Sequence, residues 1–346
     1  MYINKNFSPR ALWRFSGGHI IWIGLWATFI TALYHFTQWT WLSVPWLPLS
    51  VIGTAVAFYL GFKNNQAYDR LWEGRKIWGA IVNSSRNWGS ISKSFVSNYF
   101  CQSDVSEEEL KQVSKTLIYR HIAWLYALRS QLLIPTPWEH INQNVHVRKV
   151  TERRRQTYGV GLLGDDITEK QLRFFLPPSE HDRLINHTNT ATQIIDQQSQ
   201  DLQRLHSQGL IDDFRHMEMQ KVLYHFYEHQ GKAERIKKFP LPRQYGALSL
   251  IFVVLFILLV PLGMVSEFDS LGGDYSIWLC IPFSILVGWV YILMELVGDY
   301  SENPFEGLGN DVPMLSLCRV IEIDLREMIG DEDIPEGIKA VRGVLM

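Results

Sequence analysis

The chain has 346 residues, with 33 Lys and Arg against 35 Asp and Glu, so its formal net charge at neutral pH is −2. This balance, without a charged tail, gives the chain no bias toward binding polyanions such as nucleic acids. The three cysteines are far apart and form no Cys-x-x-Cys motif, which argues against a disulfide framework; they are Cys101, Cys280 and Cys318.

Long uncharged runs predict four membrane-spanning helices. No Asp, Glu, Lys or Arg occurs between Phe15 and Phe62, and two prolines divide this block into two helices. Two later runs of about 20 residues are each long enough to cross a hydrocarbon core of about 30 Å. Tryptophans flank the runs, which is typical of a membrane interface. The predicted spans cover residues 18–36, 47–62, 243–265 and 276–295.

Lys and Arg residues lie on one side of these spans. They precede the first span, follow the second and precede the third, whereas the two loops on the other side are uncharged or acidic. Because positive charge is retained on the cytoplasmic side, both termini and residues 63–242 are predicted to face the cytoplasm. We expect a multi-pass protein of the inner (plasma) membrane that contacts the lipid bilayer.

The charged remainder of the chain predicts further helices. Residues 66–100 have a helical period, and Ser106 with Glu109 forms a capping box that opens a helix to about residue 133. A long helix is expected from Ser179 to about residue 206, ended by Gly209, with another from 211 to 229. Residues 135–164 contain no clear element. The predicted fold is all-α, a single domain over 1–346, with the cytosolic helical region (63–242) and the C-terminal segment (296–346) continuous with the spans.

Thr54, Phe58 and Phe62 recur every four residues at the end of the second span. They therefore share one helix face, with about 6 Å between successive side chains. Amide and charged residues follow at once. A helix with this pattern suits the wall of a pore, where a narrow ring of phenyl groups can gate ions by dewetting. Ordinary packing between helices would give the same spacing.

One short motif is typical of an enzyme. His225, Glu228 and His229 fit the H-x-x-E-H pattern of inverted zinc metallopeptidases, with Glu228 as the base. No third ligand is well placed in the sequence, so we expect no metal, no cofactor and no enzymatic activity. A zinc-dependent membrane enzyme and a non-conducting membrane scaffold remain the alternatives from other functional classes.

Four blocks occur in an order that resembles the bacterial branch of the bestrophin family. They are NNQAYDRLWEGRKIWG at 64–79, PLPRQYG at 240–246, ENPFEGLGNDVP at 302–313 and LCRVIEIDLREM at 317–328. The resemblance implies a homopentamer whose second helices surround a central pore, and a passive channel for monovalent ions. Bacterial relatives are associated with cations and animal ones with chloride, so an anion channel of the same architecture is the nearest alternative.

The resemblance also implies where the pore is narrow. Thr54, Phe58 and Phe62 match the hydrophobic neck of the family, and Thr54 is smaller than the residue usual there, so the barrier should depend on the two phenylalanines. A second constriction in the cytosolic vestibule matches Phe214, with Ile211 one turn earlier as the fallback.

Charged and amide side chains beside these constrictions are candidates for ion selectivity. Asp212 and Asp213 precede Phe214, and five copies of each would favour cations, although acidic residues are also common at helix N-termini. Lys63, Asn64 and Asn65 follow the neck and are expected below it.

In animal bestrophins an acidic run after the Asn-Pro-Phe element helps to form a calcium clasp. Here only Glu306 and Asp311 supply carboxylates in that stretch. Calcium needs several convergent oxygen ligands. We therefore expect no clasp and no activation by calcium.

Overall fold

The computed structural model describes residues 1–6, 8–101, 105–158, 166–273 and 275–346. Over these ranges the chain is helical and contains no β-strand, which confirms the all-α prediction. The α-helices are α1 (Pro9–Thr37), α2 (Trp46–Phe95), α3 (Glu107–Leu132), α4 (Val145–Tyr158), α5 (Asp166–Phe175), α6 (Pro178–Leu184), α7 (Thr190–Ser207), α8 (Asp213–Lys238), α9 (Arg243–Asp269), α10 (Cys280–Asp299) and α11 (Met314–Met328).

Four helices are long and apolar enough to cross a membrane, namely α1, α2, α9 and α10. Helices α1, α2 and α9 each contain a predicted span, whereas the predicted span 276–295 begins in the 3-10 helix Ser276–Leu279 and continues into α10. Helices α1 and α2 extend well beyond their spans. The second span is only the first part of α2, which is 50 residues long in all and has no break. Its polar continuation holds no proline or glycine pair that would end a helix, and Asn64 and Asn65 are tolerated in its interior.

The chain divides into two compact units. The membrane unit consists of Asn4–Arg70 and Pro240–Asn303, and the globular unit consists of Met1–Ile3, Leu71–Phe239 and Pro304–Met346. Whether the two units act as the single domain expected from the sequence stays a prediction.

In the membrane unit, α1, α9 and α10 pack on one another. Helix α10 approaches α1 closely at Gly288, where a Cβ atom would lie 3.1 Å from a methyl carbon of Ile23. The first part of α2 adds Leu49, Val56 and Leu60 to the same apolar core.

In the globular unit, α3 is the central helix, and α5, α7, α8 and α11 pack around it. Trp124 of α3 contacts Phe226 of α8 with 5.0 Å between ring centroids, and Trp88 of α2 lies 6.0 Å from the same ring. The predicted capping box is confirmed, because the Ser106 hydroxyl accepts from Glu109 N and the Glu109 carboxylate accepts from Ser106 N. The Ser106 amide and hydroxyl both donate to the Glu109 carboxylate, and these two bonds lower the pKa of Glu109.

Two predictions about local structure in this unit are wrong. Residues 145–158 form α4 rather than an irregular segment, whereas residues 159–164 of that segment lie outside the described ranges. Buried Thr151 and Arg155 anchor one face of α4, a tertiary effect that its basic sequence conceals. The long helix expected from Ser179 is two helices, because the Asn189 side chain caps a new start by accepting from Thr192 N at 2.9 Å.

Candidate ion pathway

The aromatic stripe of α2 lies on a face that the membrane unit leaves uncovered. The side chains of Phe58 and Phe62 are 69% and 56% exposed. Their rings meet edge to face, with 4.8 Å between centroids and an interplanar angle of 87°. Thr54 is also exposed, and its hydroxyl donates to the carbonyl of Ser50 at 2.9 Å. The three predicted neck residues therefore share one open surface.

The opposite face of α2 is buried against α9 and α10. Tyr291 of α10 donates its hydroxyl to the carbonyl of Gly53 at 2.9 Å, and a Cβ atom at Gly53 would lie 2.7 Å from the Phe256 ring of α9. The buried positions recur every three or four residues, as one helix face requires; they are Gly53, Val56, Leu60, Lys63 and Ala67. One face of α2 thus holds the helix in place and leaves the phenyl rings free.

The polar residues after the neck separate onto different faces. Lys63 is buried and its ammonium group pairs with the carboxylate of Glu295. The half-buried Asn64 donates its amide to the carbonyl of Met294 at 2.9 Å. Only Asn65 is exposed. Of the three residues expected to line the pore below the neck, the structure leaves Asn65 beside the stripe and turns Lys63 and Asn64 toward α10.

The start of α8 carries the predicted inner constriction. Phe214 is 82% exposed, whereas Ile211 is buried in the core of the globular unit. A buried isoleucine cannot narrow a water-filled passage, so Phe214 remains the candidate and the fallback Ile211 does not.

The two aspartates beside Phe214 have different surroundings. Asp212 is the N-cap of α8, where its side chain accepts from Arg215 N at 2.9 Å and lies 3.5 Å from the Arg215 guanidinium. The exposed side chain of Asp213 pairs with His206, whose Nε2 is 2.6 Å from its Oδ1. Asp212 is therefore mainly a helix cap, and Asp213 is the carboxylate that faces solvent.

The three side chains of the H-x-x-E-H motif contact other protein groups. Glu228 pairs with Lys232 at 2.7 Å, and His225 lies 3.5 Å from the other carboxylate oxygen. His229 Nε2 is 3.1 Å from the hydroxyl of Ser84. No group of three or more His, Cys, Asp or Glu within the described ranges is placed to hold a metal ion.

In the loop between α10 and α11, the carboxylates of Asp311 and Glu306 accept hydrogen bonds from backbone amides. Both oxygens of Asp311 accept from backbone amides, those of Phe305 at 2.9 Å, Gly307 at 2.7 Å and Val312 at 2.7 Å. Burial raises the pKa of Asp311, although these amides oppose the shift. Glu306 accepts from the backbone amide of His140 at 2.7 Å. The expectation that no calcium clasp forms here stays a prediction.

Among the buried ion pairs of the described residues, two that the sequence did not predict lie close to the residues discussed above. Lys237 pairs with Glu139 and also donates to the carbonyl of Phe305 at 3.2 Å, which fixes the same loop. Lys63 and Glu295 form the other pair. A signal for the second pair was present, because Lys63 and Glu295 are the first charged residues after the uncharged runs of the second and last spans.

Comparison with known proteins decides the family. Residues 18–327 match the model described as Bacterial/Fungal Bestrophin protein. The chain belongs to the bestrophin family. This confirms the resemblance carried by the four sequence blocks.

Curated relatives in the family carry the name voltage-dependent anion channel-forming protein. The one from Mesorhizobium japonicum is 24% identical over 284 residues, which cover 82% of this chain and 75% of the relative. The protein YneE of Escherichia coli (strain K12) is 24% identical over 292 residues, covering 84% and 79%. This chain is thus similar to these relatives over most of their length.

Solved structures show the same fold. A bacterial bestrophin homolog from Klebsiella pneumoniae superposes with a TM-score of 0.72 at 18% sequence identity, covering 91% of this chain and 98% of that one. Combined with the four apolar helices, the family assignment identifies a membrane protein.

Proposed function

We propose that this bestrophin-family protein is a passive ion channel in which five copies surround an axial pore lined by α2. One observation carries the proposal. Phe58 and Phe62 lie exposed and in mutual contact on the open face of a helix whose other face is buried. In a ring of five such helices, the phenyl groups would form a narrow apolar neck that controls ion passage by dewetting.

The composition of the open face supports a pore rather than a lipid-facing surface. Along this face Thr54, Phe58 and Phe62 are followed by exposed Asn65 and Asp69. Leu47 and Val51, earlier on α2, are also exposed, so the support lies in the change from phenyl rings to an exposed amide and carboxylate within two helical turns. An apolar barrier that opens directly into water fits that change.

The inner constriction and its charge favour monovalent cations. Phe214 is the exposed apolar residue at the start of α8, and the carboxylate of Asp213 lies next to it. At an effective dielectric constant of about 20, one unit charge ~8 Å away contributes about 2 kcal/mol to a passing cation. Five copies would favour cations even after screening by salt.

An anion-selective channel of the same architecture is the second candidate. The observation that favours it is the name shared by the relatives from several bacteria, voltage-dependent anion channel-forming protein. Both candidates use the same neck and differ in the sign of the charge that crosses it.

We infer the location and orientation from charge. Lys and Arg cluster before the apolar part of α1, after the apolar part of α2 and before the apolar part of α9. The positive-inside rule then places both termini and the globular unit in the cytoplasm, and the spans in the inner (plasma) membrane.

Purified protein in planar bilayers under an asymmetric KCl gradient tests the function directly. We expect discrete currents whose reversal potential lies near the potassium equilibrium potential, from a complex that native mass spectrometry finds to be a pentamer. A reversal near the chloride potential would select the anion channel. Well-folded protein that carries no current under either polarity would refute channel function.

A further inference from the structure

The ion pair between Lys63 and Glu295 lies inside the membrane unit, beside the predicted neck. The exposed fractions of the two side chains are 1% and 6%. The carboxylate oxygen that meets the ammonium group also accepts from the hydroxyl of Ser249 at 3.0 Å. Glu295 of α10 thus contacts both Lys63 of α2 and Ser249 of α9.

Lys63 occupies a position on α2 from which its ammonium group could reach the neck. Lys63 directly follows Phe62, and successive residues of a helix are about 100° apart around its axis. The phenyl ring of Phe62 points into the open surface, while the ammonium group is turned into the unit. A lysine that was not held there could swing its flexible four-carbon chain toward the neck.

The close approach of α10 makes the buried position of Lys63 possible. A Cβ atom at Gly298 would overlap the amide oxygen of Asn64 and would lie 3.7 Å from Lys63 Cε. Only glycine leaves this space. The amide of Asn64 also reaches the carbonyl of Met294, so α10 holds both residues that follow the neck.

Stability alone is a weak reason for such a pair. Burying two charges removes them from water, and well-packed apolar residues of similar volume often stabilise a protein as much or more. Beside a pore, the charge of Lys63 would affect permeating ions more than the pair affects the stability of the fold. Five unpaired ammonium groups just below the neck would attract anions and repel cations.

We infer that Glu295 is a selectivity-determining residue, because it neutralises Lys63 and keeps it out of the conduction path. The inference rests on the proposed channel function. Because the pair holds the ammonium group of Lys63 inside the unit, the polar group exposed after Phe62 is the amide of Asn65.

The first test measures permeability in bilayers. Glu295→Gln removes the carboxylate charge at nearly constant volume, and we expect the anion-to-cation permeability ratio to rise roughly tenfold. Lys63→Met should shift the ratio toward cations, and the double variant Lys63→Met/Glu295→Gln should return it close to the wild-type value. The control is Glu336→Gln, which breaks the exposed Lys339–Glu336 pair and should leave the ratio unchanged.

The second test measures whether Lys63 is accessible. A membrane-impermeant amine-acylating reagent, followed by mass spectrometry, should label Lys63 of the wild type at least about ten times more slowly than exposed Lys339, because acylation needs solvent contact. The difference should shrink in Glu295→Gln. If that variant fails to assemble, the comparison of Lys63→Met with the double variant gives the same permeability test.

The outcomes separate this inference from the channel function. A wild type without current refutes both. A conducting wild type whose permeability ratio is unchanged in Glu295→Gln, or whose Lys63 is labelled as fast as Lys339, refutes the inference and leaves the channel function standing. A double variant as altered as the single ones also contradicts it.

Discussion

At the scale of single residues, Phe58 and Phe62 carry the clearest prediction. Both rings are mostly exposed, so Phe58→Ala and Phe62→Ala should cost little stability in the isolated subunit. Loss of a phenyl from each subunit widens the apolar ring and lets water enter. Each variant should therefore show a higher conductance or open probability in bilayers. Phe36→Ala, at an equally exposed phenyl of α1, is the control and should conduct like the wild type.

The aspartates beside Phe214 should not contribute equally to selectivity. Asp212 caps α8 and faces Arg215, whereas the carboxylate of Asp213 faces solvent. Asp213→Asn should lower the cation-to-anion permeability ratio by about threefold or more, and Asp212→Asn should change it less. Asparagine keeps the size and the capping ability of aspartate, so the pair of variants tests charge alone. An unaltered ratio in the double Asn variant would exclude a carboxylate ring as the selectivity element.

Asp331 predicts a pH-dependent stability of the globular unit. Its carboxylate accepts from Lys115 Nζ at 2.7 Å, Tyr119 OH at 2.5 Å and Arg326 Nε at 3.0 Å. Burial alone would raise the pKa of Asp331, but these three donors hold it below its ordinary value of 3.8. A carboxyl group with a lowered pKa stabilises the fold above its unfolded pKa, and this contribution is lost as the pH falls through the folded value.

Asp331→Asn should therefore lower the free energy of unfolding by about 1–3 kcal/mol at neutral pH. The difference from the wild type should narrow below about pH 4, where the wild-type carboxylate also becomes protonated. Urea titrations followed by tryptophan fluorescence at several pH values measure it. Glu332→Gln, at the exposed neighbouring carboxylate, should show no such dependence. A constant difference across the pH range would show that charge is not involved.

The sequence predicts which residues share a helix face more readily than it predicts which charged residues form ion pairs. The spacing of Phe58 and Phe62 is a local property, and one helix period is enough to place them on one face. Lys63 could not be assigned in the same way, because its partner lies 232 positions along the chain. Only the packing of α10 against α2 brings the two charges together.

At the scale of elements, local chemistry predicts those helix ends that are set by local groups. The capping box of α3 and the stop at Gly209 involve neighbouring residues, and both were predictable. Helix α4 depends on burial of Thr151 and Arg155, and the break before α7 depends on Asn189 taking up a capping geometry. Neither follows from periodicity.

The turn at Gly209 separates α7 from α8 and gives a test at this scale. Gly209 has φ of +71°, and a Cβ atom there would lie 2.6 Å from the backbone oxygen of Phe100. Gly209→Ala should therefore lower the free energy of unfolding by about 1–3 kcal/mol. Alanine is strained at a positive φ, and its methyl group would clash with a backbone oxygen that cannot move aside as a side chain can. The matched control is Gly231→Ala, inside α8 with open space around it, which should be neutral or stabilising. Equal melting temperatures for both variants would contradict this account.

At the scale of the whole molecule, the family and the all-α class were accessible from sequence because they depend on long patterns. The apolar runs and the four ordered sequence blocks are patterns that a few substitutions do not remove. The runs predicted the membrane helices, and the blocks predicted the bestrophin family that the family match supports. The division into two units was not accessible, since α2 shows no break where the boundary falls at Arg70 and Leu71.

The discontinuous make-up of the globular unit has a consequence for biosynthesis. Its first large portion, Leu71–Phe239, leaves the ribosome before α9 and α10, while its last portion, Pro304–Met346, leaves after them. Until then α3 lacks α11, and the hydroxyl of Tyr126 lacks the Glu322 carboxylate that it meets at 2.6 Å in the finished fold. During translation the apolar surface of α3 therefore stays uncovered until α11 has been made. A nascent chain in this state is a natural client for chaperones, and a ribosome that stalls between α9 and α11 would release an aggregation-prone fragment.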